Sequence, residues 1–294
     1  MTMGRLANRT AIVTGASRGL GRAIALALAA EGAGVAVVAR TEQVWDERLP
    51  GTIGATVAEI EAAGGKAVPI RADLTDRDDL PRLVEEARAA LGPVSILVNN
   101  AAFTAPGRPP KADATPAATP AKAAKPAKPQ TAQADWPAFI GTPVHAFRRH
   151  FDIAVFAAYE LMQLVVPDML TLGEGAIINI SSVASRIPGD GPYTDFGGGI
   201  LPGYGGSKAA LEHLTNSAAY ELQPRNISVN ALSPSQAMMT PGLSYYRTDF
   251  DDIGSEAEFA EAVVRLAAVD PNAVTGRTIG HREVLDGTFT PFAP

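Results

Sequence analysis

Tyr204 and Lys208 stand four residues apart, and their types and spacing define the chemistry this sequence offers. On a helix, positions i and i+4 share a face, so the phenol and the ammonium would project together. A nearby ammonium favours the phenolate, which should draw the tyrosine pKa down from about 10 toward a working pH. Such a phenol can give or take a proton at a substrate oxygen. Gly203 before the pair and Gly205-Gly206-Ser207 within it leave room for a ligand near the ring. Ser181-Ser182 follows an apolar run at 176–180. A hydroxyl there could bond a substrate oxygen as charge develops on it, although a Ser-Ser pair after a strand also serves as a cap or turn. The second feature is the turn at 14–21, TGASRGLG, about 190 residues earlier. A Gly-rich turn between a strand and a helix seats a dinucleotide phosphate on free helix N–H groups. Together these features point to hydride exchange between a nicotinamide and a carbonyl or alcohol.

The elements that must position these residues alternate along the chain. β-branched runs at 10–14, 35–39, 66–70, 96–99, 176–180 and 227–232, with a less regular one at 278–284, read as strands. Helix-like stretches fall at 20–31, 53–63, 76–91, 144–172, 204–223 and 255–268, with Asp76 as a cap and Gly92-Pro93 as a stop. This alternation predicts an α/β fold, a doubly wound Rossmann-type parallel sheet with helices on both faces, in a single domain spanning 1–294. Within the turn, Gly15 allows the tight bend, while Gly19 and Gly21 let backbone and helix approach a pyrophosphate. Ser17, Arg18 and Leu20 complete the expected seat. An NAD-preferring site would carry a carboxylate at the end of the second strand. Arg40 stands there instead, with Arg18 in the turn, and two guanidinium groups suit a 2′-phosphate. NADP is therefore expected over NAD.

One segment breaks the rhythm. Residues 104–135 hold eleven Ala, seven Pro and four of the six Lys, without apolar periodicity. Such a composition cannot bury a core and predicts an extended, flexible insertion. The chain has 46% hydrophobic residues and net charge −6, so nucleic acid and anionic membranes are not expected partners. No cysteine is present, which excludes disulfides and thiol chemistry. His145, His150, His213 and His281 show no metal-ligand spacing, and His145 and His150, beside Arg148 and Arg149, read as a solvated helix face. No uninterrupted apolar run of membrane-spanning length and no signal peptide is evident, and a cytoplasmic location is expected.

In order along the chain, the motifs resemble those of the short-chain dehydrogenases/reductases. TGASRGLG resembles the family's cofactor turn, Asp73-Leu74 its adenine-contacting pair, and Asn99-Asn100-Ala101-Ala102 its NNAG motif with Ala for the last Gly. Asn179-Ile180-Ser181-Ser182 is similar to its serine strand, and Tyr204 to Lys208 to its YxxxK motif. The resemblance implies that Tyr204 exchanges the proton, that Ser182 orients the substrate oxygen, and that Lys208 holds the nicotinamide ribose. It implies cofactor contacts from Asn100 and Ala101, and from Thr240 to the carboxamide. It also implies a small-molecule substrate and a homo-oligomer, dimer or tetramer, built on the two long central helices. Three departures stand out: Ala154 occupies the place of the family's relay asparagine, a longer loop (183–203) separates Ser182 from Tyr204, and Pro234-Ser235 replaces Pro-Gly. Tyr193, Phe196, Ile200, Leu201, Met238, Met239, Leu243, Tyr245, Tyr246 and Phe250 are candidate pocket walls, suited to an apolar or ring-bearing ketone or alcohol. An alternative reading, motivated by Ala154 and the insertion, is an NADP-binding sensor or scaffold with weak or lost turnover.

Overall fold

A computed structural model describes residues 4–103, 139–140, 142–186, 202–244 and 250–291. Seven strands form one parallel sheet: β1 (Thr10–Thr14), β2 (Gly34–Ala39), β3 (Lys66–Arg71), β4 (Ile96–Asn99), β5 (Gly175–Ile180), β6 (Ile227–Ser233) and β7 (Thr278–Gly280). Their spatial order is β3-β2-β1-β4-β5-β6-β7. The chain winds outward from β1 in one direction and from β4 in the other, so a crevice opens at the carboxyl ends of this central pair.

Residue alternation along the strands sends side chains to two separate cores. Ala11, Val13, Val35 and Val37 face α1 (Gly19–Ala30), α2 (Ile53–Ala62) and α8 (Glu256–Ala267). Ile12, Ala36, Val38 and Leu97 face α3 (Asp79–Leu91) and α5 (Ala157–Leu172), with Leu214 and Ala218 of α6 (Pro202–Leu222) packed alongside. Two short helices, α7 (Pro241–Ser244) and α9 (His281–Leu285), complete the described elements.

Several boundaries differ from the sequence reading. Asp76 accepts from Asp78 N–H at 3.2 Å in the preceding turn, and the helix itself begins at Asp79. The last strand stops at Gly280 and the chain turns into α9, which shortens the run expected to 284. The helical stretch Val144–Leu172 is long and apolar enough by composition to cross a membrane. Here Leu161, Val165 and Met169 are wholly buried within the second core. That stretch is also not one regular helix: α4 (Val144–Phe151) passes through a π-helical turn, Asp152–Phe156, into α5. Residues 104–135 lie outside the described residues.

Candidate active site

A cavity of about 280 Å³ occupies the crevice over β1 and β4. Gly15, Ser17, Arg18, Gly19, Leu20, Gly21, Arg40, Asp73, Leu74, Asn100, Ala101, Tyr204, Lys208 and Thr240, all singled out from the sequence, line it. The turn at its base leaves no room for side chains. Gly15 (φ +68°) and Gly19 (φ +53°) lie in the left-handed region, and a Cβ on Gly21 would fall 2.3 Å from Gly15 O and 2.5 Å from Asn100 Nδ2. Asn100 fixes the turn from the neighbouring strand end, donating from Nδ2 to Thr14 O at 2.9 Å, while its N–H reaches Thr14 Oγ1 at 3.0 Å. The first turn of α1 carries no acidic residue and no side-chain cap, so its N–H groups and dipole are left for an anion. This cradle fits a dinucleotide.

At the end of the cavity bounded by Arg18 and Arg40, burial and repulsion from Arg40 both lower the pKa of Arg18. Arg18 donates to Thr41 Oγ1 at 3.0 Å, and Arg40 lies 3.8 Å from Asp73. Glu42, the nearest carboxylate after β2, is exposed and pairs with Arg71 at 3.3 Å. Trp45 also lines this end, and its buried indole N–H has no hydrogen-bond partner among the described residues. Sequence reasoning passed over Trp45. A tryptophan in the loop that follows the second strand was the available signal.

At the other end, Tyr204 and Lys208 share the face of α6 turned to the cavity, with Lys208 Nζ 5.7 Å from the Tyr204 ring centre. Lys208 is buried and donates to the Ile180 carbonyl at 2.5 Å, and burial lowers its pKa to about 8. The expected downward pull on Tyr204 is not what this arrangement gives. Burial pushes the phenol up, and a hydrogen bond with Ser182 opposes that shift. Burial of the ring dominates, while Lys208 Nζ is directed to the strand-end carbonyl rather than to the phenol oxygen. Ser182 lies at the mouth of a 3₁₀ turn (Val183–Ser185), where its Oγ accepts from Ala184 N–H at 3.2 Å.

Gly203 and Gly205, on either side of Tyr204, serve packing rather than ligand space. A Cβ on Gly203 would lie 2.6 Å from the His150 ring, and one on Gly205 2.3 Å from Ala184 O. His150 is accordingly not on a solvated face with His145. Its ring meets Phe103 at 5.2 Å and Tyr204 at 6.2 Å, both edge-on, and desolvation with the nearby Lys208 charge lowers its pKa to about 4. The packing of α4 against α6 carries this contact, which the adjacent arginines obscured. Ala154 is buried in the π-helical turn packed on α6. Ser235 is tied into its loop: its N–H donates to His281 Nδ1 at 2.9 Å and its hydroxyl to Glu283 at 3.2 Å. Among the candidate walls, Met238 is buried in the first core, while 193, 196, 200, 201, 245 and 246 lie outside the described residues. No cluster of metal-ligating side chains occurs among the described residues.

The family model for short chain dehydrogenase matches residues 9–119 and 137–249. The chain belongs to this family. It is 29% identical over 285 residues to the 7α-hydroxysteroid dehydrogenase of Escherichia coli (strain K12), covering 94% of this chain and 93% of the relative. The fold matches a 7α-hydroxysteroid dehydrogenase complexed with NADH and 7-oxo glycochenodeoxycholic acid, with TM-score 0.70 and 29% identity over 94% of this chain and 93% of that one. It also matches a Beutenbergia cavernae protein, provisionally named an NAD(P)-dependent gluconate 5-dehydrogenase, with bound NADP (TM-score 0.71, 27% identity, 96% of this chain and 98% of that one). The chain is thus an oxidoreductase of the short-chain type, acting on hydroxyl or carbonyl groups with a nicotinamide cofactor.

Proposed function

We propose that this dehydrogenase prefers NADP(H) and interconverts a ring-bearing or otherwise apolar ketone with its secondary alcohol. The observation that carries the cofactor choice is the placing of two guanidinium groups, Arg18 and Arg40, on one cleft, with Arg40 directly after the second strand, where an NAD site would offer a carboxylate. A 2′-phosphate would relieve their repulsion and accept from both guanidinium groups. Arg40→Asp is expected to weaken NADPH binding by about tenfold or more while changing NADH little. Fluorescence titration with each cofactor checks this, and an equal change for both removes the role given to Arg40. The substrate class rests on Phe103, which lines the cleft beside His150 and Tyr204, and on the steroid-acting relatives. A screen of NADPH turnover over cyclic and acyclic ketones tests it.

A bound nicotinamide supplies or receives the hydride; the chain's own residues govern the proton and the substrate's position. In reduction, Tyr204 Oη gives its proton to the substrate oxygen, and Ser182, hydrogen-bonded to the same phenol, holds that oxygen in place. Lys208, fixed to Ile180 O, offers a buried positive charge beside the forming phenolate. Ala154 cannot help retain a relay water through its side chain. Ala154→Asn is expected to raise kcat about two- to tenfold, as one added hydrogen-bonding group would. An unchanged or lower kcat in steady-state assays would count against a relay at this position. We also propose that the chain folds as one unit with 104–135 as an insertion. It is further proposed to self-associate through the face bearing Phe156, Tyr159 and Tyr220, which are 54%, 51% and 89% exposed.

A further inference from the structure

We propose that Glu212 is the positioning residue for Ser182, holding the serine turn 181–185 against α6 through its carboxylate. This rests on the reading of Ser182 as the residue that orients the substrate oxygen. Tyr204, Lys208 and Glu212 follow one another at four-residue intervals, so they form a single stripe along α6. Each fastens a different part of the segment that leaves β5. The phenol of Tyr204 is hydrogen-bonded to Ser182, and Lys208 holds Ile180 O. Oε1 of Glu212 accepts from both Ser181 Oγ and Ser185 Oγ, the latter at 2.7 Å, while Oε2 lies 3.9 Å from Arg186. Ser182 therefore sits between two residues that one carboxylate grips.

The grip is local and well shielded. The Glu212 side chain is only 14% exposed, and Ser181 is buried. Gly205, about two turns earlier on α6, lets Ala184 O approach so closely that no Cβ would fit. The turn is thus pressed onto the helix at Gly205 and hydrogen-bonded to it at Glu212. Ser182 is itself committed to capping Ala184 N–H, so the aim of its hydroxyl follows the placement of the turn. A displacement of about 1 Å in a group that positions substrate can cost about 100-fold in rate.

The same carboxylate sets the charge environment one helical turn back. It supports the protonated form of Lys208 against burial. The other groups facing this neighbourhood are Tyr204 on α6, His150 on α4 and Arg186 at the end of the turn. His150 has its pKa lowered to about 4, so it is neutral in the working range, and Glu212 supplies the negative charge that acts on Lys208.

Three variants of the full-length protein test this: Glu212→Ala, Glu212→Gln and Ser182→Ala. Glu212→Ala is expected to lower kcat about 10- to 100-fold, with the Kd for NADPH within about twofold of the unaltered protein. Glu212→Gln keeps an acceptor oxygen for both serines but removes the charge. It should hold kcat within about threefold at its optimum, while the alkaline fall of the pH profile moves to lower pH, because the anion no longer supports the ammonium. A Glu212→Ala kcat within about twofold of the unaltered enzyme overturns the proposal, as does a Glu212→Gln profile superimposable on the original. Should Glu212→Ala not fold, the Ser181→Ala/Ser185→Ala double variant, which removes both donors to that carboxylate, is expected to show the same loss of kcat, and a kcat within about twofold of the unaltered enzyme overturns the proposal. If Ser182→Ala retains full turnover, the catalytic reading of Ser182 fails and takes the positioning role with it. A loss in Ser182→Ala without one in Glu212→Ala sinks only the role of Glu212.

Discussion

Replacing Tyr204 by phenylalanine is expected to lower kcat for ketone reduction by about 10²- to 10⁴-fold, the usual contribution of a positioned general acid. Each tenfold corresponds to about 1.4 kcal/mol of transition-state stabilisation, so the loss is roughly 3–6 kcal/mol. The substitution keeps the ring that packs edge-on against His150, so the fold and the Kd for NADPH should change little. Stopped turnover with intact cofactor binding would assign the proton to this oxygen. A flat response, with neither protein turning over any of a broad set of ketones and alcohols, would favour a sensor or scaffold instead. The unaltered enzyme should also show a characteristic pH dependence. Burial raises the phenol pKa, so Tyr204 stays protonated through the neutral range, and the first group to change is Lys208 near pH 8. Reduction needs the protonated phenol and the charged lysine, so its rate should be level below about pH 8 and fall above it. A reduction rate that climbs from pH 8 to 9 would contradict the assignment.

The fold was legible because its signals are local. A parallel strand buried on both faces must be largely apolar, and TAIVT, VAVVA and AIINI declare themselves without knowledge of their neighbours. The phosphate turn is equally local, since strand, glycines and helix are contiguous. What escaped the sequence were effects that arise between elements. His150 looked solvated beside Arg148 and Arg149, and only the packing of α4 against α6 places its ring on Gly203 and Tyr204. The phenol was expected to be acidified by its neighbour, yet the strand-end carbonyl that claims Lys208 lies on another element. Trp45 had no periodic pattern to mark it, being brought to the Arg18 and Arg40 end of the cavity by the path of the loop after β2. In each case the residue types were visible, and the competing partner was far away in sequence.

The turn itself offers the other large effect. Gly21→Ala is expected to weaken NADPH binding by about tenfold or more and to cost roughly 1–3 kcal/mol of stability, the range for overpacking a tight site. The reason is steric. The new methyl would stand 2.3 Å from Gly15 O and 2.5 Å from Asn100 Nδ2, and neither can retreat easily. Gly15 is held in a left-handed conformation at φ +68°, and Asn100 is tied to Thr14 O at 2.9 Å. Relief of the clash must therefore either move the turn off the N-terminus of α1 or break the Asn100 hydrogen bond that fixes it, and both disturb the N–H groups at the head of that helix. Gly54, in the first turn of α2, is the matched control, because nothing lies within 4 Å of the Cβ it lacks. There the same change should stabilise by up to about 1 kcal/mol through helix propensity and leave NADPH affinity untouched. Thermal melts and cofactor titrations on the two variants would separate the cases. A Gly21→Ala protein that binds NADPH as tightly as the original would show that the turn is not the phosphate seat.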